Sequence, residues 1–270
     1  MRRPTITAIV CAFNEAPVLS ACLHSLLSQT RPPDEIIVVN NASTDQTAGV
    51  ARAVPGVRVV DEPIKGLVAA RETARRTAAG DLLAYVDADC RAPLRWLEQV
   101  ERRFNRRPAV VAVSGPYRFY DWDLTGRLLI RAYDLVVAPP THFLVHHALG
   151  AGAVLYGGNF AARARALDRI GGFDVSIEFH GEDTNVGRRL TPLGAIELAP
   201  ECWIWTSARR YHAMGKRRVF GLYVRNFWSE ILGHRPADHE HLDVRAAPLA
   251  GAPVRDGGKG PISAQRLDGR

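Results

Sequence analysis

The sequence predicts an α/β fold in which a mixed, mostly parallel sheet carries helices on both faces. Three observations support this prediction: strand-length apolar segments alternate with helical patterns, turn residues separate them, and polar clusters follow the strands. Such alternation is what βαβ units produce. With 270 residues, 47% of them hydrophobic and 23% charged, the chain is long enough to bury the core of one large domain.

The individual elements follow from hydrophobic periodicity and from the residues that interrupt it. A run of β-branched residues without charge predicts the first strand at 5–12, and helical spacing predicts a helix at 16–29. Later strands are predicted at 35–39, 57–60, 82–86 and 110–114. Later helices are predicted at 47–53, 67–79, 93–104, 124–137, 163–170, 182–190 and 219–232. Pro, Gly, Asp and Arg dominate after residue 234, so we expect a domain over 1–233 and a weakly ordered tail over 234–270.

Polar residues follow three of the predicted strands: Asn14-Glu15, Asn40-Asn41 and Asp87-Ala88-Asp89. Ligands collect at the carboxyl ends of parallel strands, so we expect the active site at that edge of the sheet. Two carboxylates one residue apart suit Mg²⁺ or Mn²⁺, because these ions prefer oxygen ligands and bridge to substrate phosphates. The alternative is a solvated turn at the strand end, where Asp is common.

A second acidic pair, Glu182-Asp183, stands much later in the chain. A carboxylate here would serve as the general base for a hydroxyl nucleophile. The alternative is that both residues only stabilise the start of a helix through its dipole, and the pair alone favours this alternative. Two glycine-aromatic turns, Gly157 to Phe160 and Gly171 to Asp174, either reverse the chain or let a substrate approach the backbone.

Taken in order, these motifs resemble family 2 of the glycosyltransferases, which has the GT-A fold. The matching segments lie within residues 5–210: Ile9 to Glu15 (IVCAFNE), Glu35 to Thr47 (EIIVVNNASTDQT), Lys65-Gly66, Ala70-Arg71, Ala79 to Asp81, Tyr85 to Asp89 (YVDAD), Gly157 to Phe160 (GGNF), Gly171 to Asp174 (GGFD), Glu182-Asp183 and Arg188 to Leu190. Each motif is short, but their order and spacing together are specific. The resemblance implies a GT-A (Rossmann-like) sheet and an inverting enzyme that transfers a hexose from a nucleotide-diphospho-sugar to a hydroxyl acceptor.

The resemblance also implies roles for single residues. Six would bind the donor: Ala12, Phe13, Glu15, Asn41, Arg71 and Asp87. Three would lie on the acceptor side: Gly158, Asn159 and Glu182. Asp89, together with Asp87, would hold Mg²⁺ or Mn²⁺, and Asp183 would be the catalytic base.

Departures from the family pattern leave some questions open. Asn40-Asn41-Ala42 stands where the family often has two aspartates, so the donor base is open between UDP- and GDP-sugars. The Gln-x-x-Arg-Trp signature of polymerising members is not visible, which argues against a cellulose- or chitin-type synthase. A nucleotidyltransferase-like enzyme and a non-catalytic nucleotide-sugar binding protein remain alternatives. The first usually has a glycine-rich loop after the first strand, and Cys11 to Glu15 contains no glycine.

Charge, cysteine usage and one uncharged stretch bear on location. The net charge of +7 suits phosphorylated substrates, anionic membranes or nucleic acid, and the resemblance leads us to expect no nucleic acid. The four cysteines show no paired spacing, which favours reduced thiols in the cytoplasm. Leu135 to Ala162 contains no charged residue, but Pro139-Pro140 and several Gly and His lead us to expect a loop, a short helix and a turn.

The segment Lys216 to His234 predicts an amphipathic helix with a basic start and an aromatic face. Its apolar side comprises positions 219, 222, 223, 226, 227, 230 and 231. Such a helix would suit peripheral contact with an anionic membrane at its inner face, and a glycan or lipid-linked acceptor of the cell envelope. The alternative is that this side packs on the catalytic domain, since ordinary core helices have the same periodicity.

Overall fold

A seven-stranded sheet forms the centre of the fold. The computed structural model describes residues 2–177, 181–235 and 237, so the predicted tail lies almost entirely outside the described residues. The strands are β1 (Ile6–Ala12), β2 (Glu35–Asn41), β3 (Val57–Glu62), β4 (Leu82–Asp87), β5 (Val110–Ser114), β6 (Tyr117–Phe119), β7 (Asn159–Arg163), β8 (Ala195–Leu198) and β9 (Ile204–Thr206). The main sheet has the order β3-β2-β1-β4-β7-β5-β8, and β6 pairs with β9 in a second, two-stranded sheet.

Helices pack on both faces of this sheet, which confirms the predicted fold class. They are α1 (Ala16–Leu27), α2 (Thr47–Arg52), α3 (Leu67–Thr77), α4 (Trp96–Arg106), α5 (Leu124–Ala132), α6 (Ala138–His142), α7 (Ala164–Arg169), α8 (Glu182–Leu190), α9 (Arg209–Met214) and α10 (Lys216–Gly233). The first four strands and the helices between them lie where the sequence predicted them, with ends that differ by a few residues.

Two apolar layers explain why the central strands carry no polar face. Because successive side chains of a strand point to opposite faces, Ala8 and Val10 join the layer that contains α1 and α4. Ile9 joins the other layer, with residues of α3 and α8. A strand buried on both faces must be apolar throughout, which is the pattern that made β1 recognisable in the sequence.

Strand β7 was not predicted, and it determines where the glycine turn lies. It is inserted antiparallel between β4 and β5, with Val86 opposite Asn159. This register places Gly157 and Gly158, which precede β7, beside the end of β4, where the N–H of Asp87 donates to the carbonyl of Gly158 at 3.3 Å. The turn therefore belongs to the edge at which β1, β2 and β4 end.

The prediction of a loop after residue 137 is wrong, because residues Leu124–Ala148 form one helix. We call this helix the apolar arm. It consists of α5, a wide π-helical turn at Tyr133–Val137, α6 and a second wide segment at Phe143–Ala148. Pro139 and Pro140 are tolerated because they begin α6, where N–H groups need no partner within the helix. Among the described residues, the apolar arm is the helix with the length and composition to cross a membrane.

Two histidines attach the apolar arm to the edge strand β8. The ring of His142 lies 3.0 Å from the carbonyl of Ile196 through Nε2, and its Nδ1 accepts a hydrogen bond from the N–H of Val154 at 3.3 Å. The ring of His146 accepts the N–H of Ile196 through Nε2, also at 3.0 Å. The outward backbone groups of Ile196 are thus bonded, so the arm covers part of the free edge of the sheet.

Helix α10 packs on α8 through polar as well as apolar residues. Glu230 is fully buried and accepts hydrogen bonds from Asn185 at 3.0 Å and Arg188 at 3.1 Å. Val219, Asn226, Glu230 and Ile231 are the buried positions of the helix. Four of the seven residues on the predicted apolar side therefore face the protein.

Candidate active site

A cleft of about 1280 Å³ opens at the carboxyl edge of the sheet. Nearly all of the residues that the sequence assigned to the site line it, and Asn159 does not. One end is formed by the loops after β1, β2 and β3, and the other by the apolar arm and α10. The lining residues used below are Ala12, Phe13, Glu15, Asn41, Lys65, Arg71, Asp87, Asp89, Gly157, Gly158, Glu182, Asp183 and Arg209.

At the first end, the loops after β1 and β2 are joined by side-chain hydrogen bonds. The side-chain carbonyl of Asn14 accepts the N–H of Thr44 at 2.8 Å, and the N–H of Asn14 donates to the hydroxyl of Ser43 at 3.1 Å. Asn14 has a positive φ of 53°, which Asn tolerates better than most residues. These bonds hold Phe13 and Glu15 at the rim of the cleft.

Asn41 fixes a second loop at the same end. Its side-chain amide donates to the carbonyl of Ile64 at 2.6 Å and accepts the N–H of Gly66 at 2.8 Å. The loop carries Lys65, whose ammonium lies 4.2 Å from the centre of the Phe13 ring. Asn41 is 4% exposed, so its evident role is to position Lys65, and its contact with a base stays a prediction.

Asp87 and Asp89 follow one another into the cleft at the end of β4. The side chain of Asp87 is 44% exposed, whereas that of Asp89 is buried. Burial raises the pKa of Asp89 to about 7, and the carboxylates of Asp87 and Glu15 also raise it, against the effect of Arg209. The carboxyl group of Asp89 therefore takes up a proton more readily than an ordinary Asp.

Arg209, the first residue of α9, lies among these carboxylates. Its Nε atom is 3.1 Å from Asp89, and its two terminal nitrogens donate to the carboxylate of Glu15 at 2.8 and 2.6 Å. Arg209 was not among the predicted site residues. It comes three residues after β9, which ends at Thr206, and because no strand was predicted there, no signal in the sequence marked it.

The Gly157-Gly158 turn separates this acidic pair from the second one. A Cβ atom on Gly158 would overlap the carboxylate of Asp87, so a larger residue there would displace that carboxylate. A Cβ atom on Gly157 would lie 3.1 Å from Glu182 and 3.2 Å from Asp183. The turn thus has the donor-side carboxylate on one side and the predicted base on the other.

Arg71 links the two acidic pairs beneath the turn. It donates to Glu182 at 2.9 Å and to the carbonyl of Gly157 at 2.7 Å, and it lies 3.8 Å from Asp87. The guanidinium is buried, and its hydrogen bonds go to the protein, so contact with a donor stays a prediction. Burial raises the pKa of Glu182 to about 7, and the neighbouring Asp183 adds to this.

Asp183 has a carboxylate oriented by backbone N–H groups. One oxygen accepts the N–H of Gly157 at 3.2 Å, and the other accepts the N–H of Thr184 at 2.7 Å. The second bond is at the first turn of α8, which agrees with the helix-stabilising interpretation. The first bond directs the carboxylate to the cleft. Burial raises the pKa of Asp183.

Asn159 is placed differently from what the resemblance implied. It is 1% exposed, and its amide donates to the carbonyls of Gly115 at 2.8 Å and Cys202 at 2.9 Å while it accepts from the indole of Trp96 at 3.0 Å. Every bond is to the protein interior. The side chain therefore supports the glycine turn from below, and a direct acceptor contact finds no support here.

The donor set at Asp87 and Asp89 fits a hard divalent cation. Both side chains offer carboxylate oxygens at the cleft, which are the ligands that such a cation prefers. In the described part of the chain, no group of three or more His, Cys, Asp or Glu side chains is arranged to hold a metal ion. An ion here would therefore complete its shell with water and substrate phosphate oxygens, as Mg²⁺ commonly does.

Solved structures share this architecture. One is the mannosyltransferase PcManGT from Pyrobaculum calidifontis in complex with GDP-Man and Mn²⁺ (TM-score 0.64, 24% identity, 87% of this chain and 64% of that chain). Another is glucosyl-3-phosphoglycerate synthase from Mycobacterium tuberculosis in complex with Mn²⁺, UDP-Glc and phosphoglyceric acid (TM-score 0.61, 21% identity, 85% of this chain and 79% of that chain). The fold and the cleft together define a protein of the GT-A class.

Sequence comparison then identifies the family. The model of glycosyl transferase family 2 matches residues 7–171, and the chain belongs to that family. Glycosyltransferase AglE of Haloferax volcanii is 34% identical over 103 residues, which are 36% of this chain and 34% of AglE. The glucosyltransferase WfaP of Escherichia coli, named for UDP-Glc and α-D-GlcNAc-diphosphoundecaprenol, is 25% identical over 64% of each chain. The chain thus spans about a third of AglE.

Proposed function

We propose that this chain transfers a hexose from a UDP- or GDP-linked sugar to an acceptor hydroxyl, with inversion at the anomeric carbon. The observation that carries the proposal is the Gly157-Gly158 turn, which has Asp87 on one side and Asp183 on the other. A single displacement needs the nucleophile and the leaving group on opposite faces of the sugar. A general base and a diphosphate site on either side of one narrow turn suit that requirement.

Asp183 is proposed as the base. Its carboxylate accepts the proton of the acceptor hydroxyl as that oxygen attacks the anomeric carbon and the bond to the diphosphate breaks. The hydrogen bonds from Gly157 and Thr184 fix the orientation of the carboxylate before the substrate arrives. Its raised pKa makes it a better proton acceptor near neutral pH than an ordinary Asp.

The donor is proposed to lie between Phe13 and Asp89. Lys65 and the ring of Phe13 would contact the nucleoside, and Arg209, which lies beside Asp89, would contact the diphosphate. Mg²⁺ or Mn²⁺ bound by Asp87 and Asp89 would neutralise the charge that develops on the leaving diphosphate. The Mn²⁺ complexes named for PcManGT and glucosyl-3-phosphoglycerate synthase support this metal dependence.

The acceptor is proposed to be a lipid-linked glycan of the cell envelope, used at the cytoplasmic face of the membrane. Beyond Asp183 the cleft is lined by apolar and aromatic side chains: Ile130, Tyr133, Val137, Phe220, Tyr223, Val224 and Phe227. Such a wall suits the apolar part of an amphiphile better than a free sugar. The name of WfaP, which specifies a diphosphoundecaprenol acceptor, supports this class.

Incubation with a panel of UDP- and GDP-sugars, with Mn²⁺ and a polyprenyl-phosphate-linked sugar, tests the proposal. Glycosylation of the lipid with release of a nucleoside diphosphate is expected for one donor. A nucleotidyltransferase would instead release pyrophosphate from a nucleoside triphosphate, and a binding protein would bind a donor without turnover. Either of those results would replace the proposed activity with one of its alternatives.

A further inference from the structure

The apolar arm exposes an unusual amount of hydrophobic surface. Nine large apolar side chains on it or directly after it are at least 44% exposed: Leu124, Leu128, Leu129, Leu135, Val136, Val137, Phe143, Leu144 and Leu149. Among them, Leu135 is 72% exposed and Phe143 64%. Only 22% of the most apolar window of the arm is buried, so the arm is not a core helix. Exposed apolar patches of this kind mark interaction surfaces.

The other face of the arm is fixed to the catalytic domain, so the arm cannot cross a membrane by itself. Asp134 is buried and accepts hydrogen bonds from Arg118 at 2.8 Å and Tyr156 at 2.6 Å. His142 and His146 bond to the backbone of β8. A helix with polar contacts to the domain on one face and apolar residues on the other is suited to lie along a surface.

The charged residues near the exposed apolar face of the arm indicate which partner binds there. Arg127 and Arg131 on the arm are exposed, as are Arg217 and Arg218 at the start of the adjacent α10. The single acidic residue between Leu124 and Leu149 is Asp134, which is buried. Anionic lipid headgroups would complement these arginines, and no acidic side chain exposed between Leu124 and Leu149 would repel them.

The cleft connects this face to the catalytic base. Ile130 and Tyr133 of the arm line the cleft together with Phe220 and Tyr223 of α10, and the rings of Tyr133 and Phe220 are 5.9 Å apart. The walls of the acceptor end are therefore made by the same two helices that carry the exposed apolar and basic residues. An amphiphile held in a bilayer beneath the arm would reach Asp183 along this apolar wall.

We propose that the apolar arm lies in the interface of an anionic bilayer and that the acceptor enters the cleft between the arm and α10 from that bilayer. The entry of the acceptor from the bilayer rests on the proposed function. The contact of the arm with the membrane does not depend on it. It shifts the membrane contact from the predicted face of α10 to the arm, since the buried side of α10 packs on α8.

Flotation of the intact protein with phosphatidylglycerol-containing vesicles and with phosphatidylcholine vesicles tests the proposal. We expect binding to the anionic vesicles at physiological salt and at least tenfold weaker partitioning for the double variant Leu135→Glu, Phe143→Glu. Leu94→Glu is the matched control, because Leu94 is 59% exposed but lies outside the arm and the cleft. That variant should bind as the parent does.

Two results would overturn the proposal: no binding of the parent protein even at low salt, or equal binding by the double variant. A parent dimer in light scattering that the double variant converts to a monomer would assign the face to a second copy instead. Donor affinity and melting temperature of each variant show that it is folded. Because vesicle binding needs no turnover, failure of the proposed activity is distinguishable from failure of the membrane contact.

Discussion

The guanidinium of Arg209 lies 3.1 Å from the carboxylate of Asp89 and donates two hydrogen bonds to Glu15. It therefore occupies the position next to the residue that we expect to bind a metal ion directly. A metal ion and the guanidinium of Arg209 would compete for the same buried carboxylate. This competition would end when the guanidinium pairs with the substrate diphosphate instead. This relationship yields a prediction about metal binding in the absence of donor.

Arg209→Gln should raise the affinity for free Mn²⁺ about tenfold and lower the affinity for the donor in the presence of Mn²⁺. The first effect follows from removing a positive charge beside Asp89, and the second from losing a cation that faces the diphosphate. Calorimetric titration measures both. Arg209→Lys, which keeps the charge, is the control. Unchanged Mn²⁺ affinity in Arg209→Gln would show that Arg209 only holds the start of α9 in place.

Asp89→Ala should remove most transfer activity, because Asp89 is the buried carboxylate at the proposed metal site. Activity of the parent protein should also disappear in excess chelator and return with Mn²⁺ or Mg²⁺. The assay is transfer from the best donor of the panel. Full activity in excess chelator would refute the metal requirement.

Gly158→Ala should abolish activity and lower the stability of the protein, because the new methyl group would force the carboxylate of Asp87 out of its place. Chemical denaturation measures the change in the free energy of unfolding. Gly221→Ala is the matched control, because Gly221 is in α10 and nothing lies within 4 Å of the added Cβ. The higher helix propensity of Ala should stabilise this variant by about 1 kcal/mol. Equal stability of the two variants would contradict the packing described for the turn.

Acid should weaken the attachment of the apolar arm. His142 accepts the N–H of Val154, so it must be neutral in the fold, and burial lowers its pKa from 6.5 to about 4. A depressed pKa gives stability that is present above pH 6.5 and is lost as the pH falls towards 4. Comparing the pH dependence of unfolding with that of His142→Asn isolates this contribution, because carboxylates titrate in both proteins.

We expect the parent to lose more stability than His142→Asn between pH 6.5 and 4.5, and protection of the Ile196 amide against hydrogen exchange to fall over the same range. His146 should contribute in the same direction, since burial lowers its pKa as well. His24→Asn, a change on α1 away from the arm, should behave as the parent does. Identical pH profiles for the parent and His142→Asn would contradict this account.

The sequence was informative where structure depends on local pattern. Strands β1, β2 and β4 are buried on both faces, so their uninterrupted apolar runs identified them, and the polar residues after them correctly marked the cleft edge. The two acidic pairs were also found from local pattern, because Asp87-Ala88-Asp89 begins at the end of β4 and Glu182-Asp183 begins α8. Their proximity through the glycine turn could not be read from spacing, since it depends on the antiparallel insertion of β7.

The misses have specific physical causes. Pro139-Pro140 indicated a loop, but the start of α6 tolerates residues without an N–H, and a wide turn before it lets the N–H of Ala138 donate to Tyr133. Arg209 was not predicted as a site residue, because nothing local distinguishes a paired guanidinium from a solvated one. Asn159 was predicted to lie on the acceptor side, and the sequence could not show that its long-range bonds to Cys202 and Trp96 hold its side chain inside the protein.

Measuring donor affinity and turnover of Asp183→Asn side by side decides whether Asp183 is the catalytic base. If Asp183 is the base, donor affinity and melting temperature should stay near those of the parent while turnover falls roughly 10²-fold or more. The isosteric amide can still accept from Gly157 or Thr184, but it cannot take a proton from the acceptor. Lower stability with near-normal turnover per folded molecule would contradict the claim and leave Asp183 with a purely structural role at the start of α8.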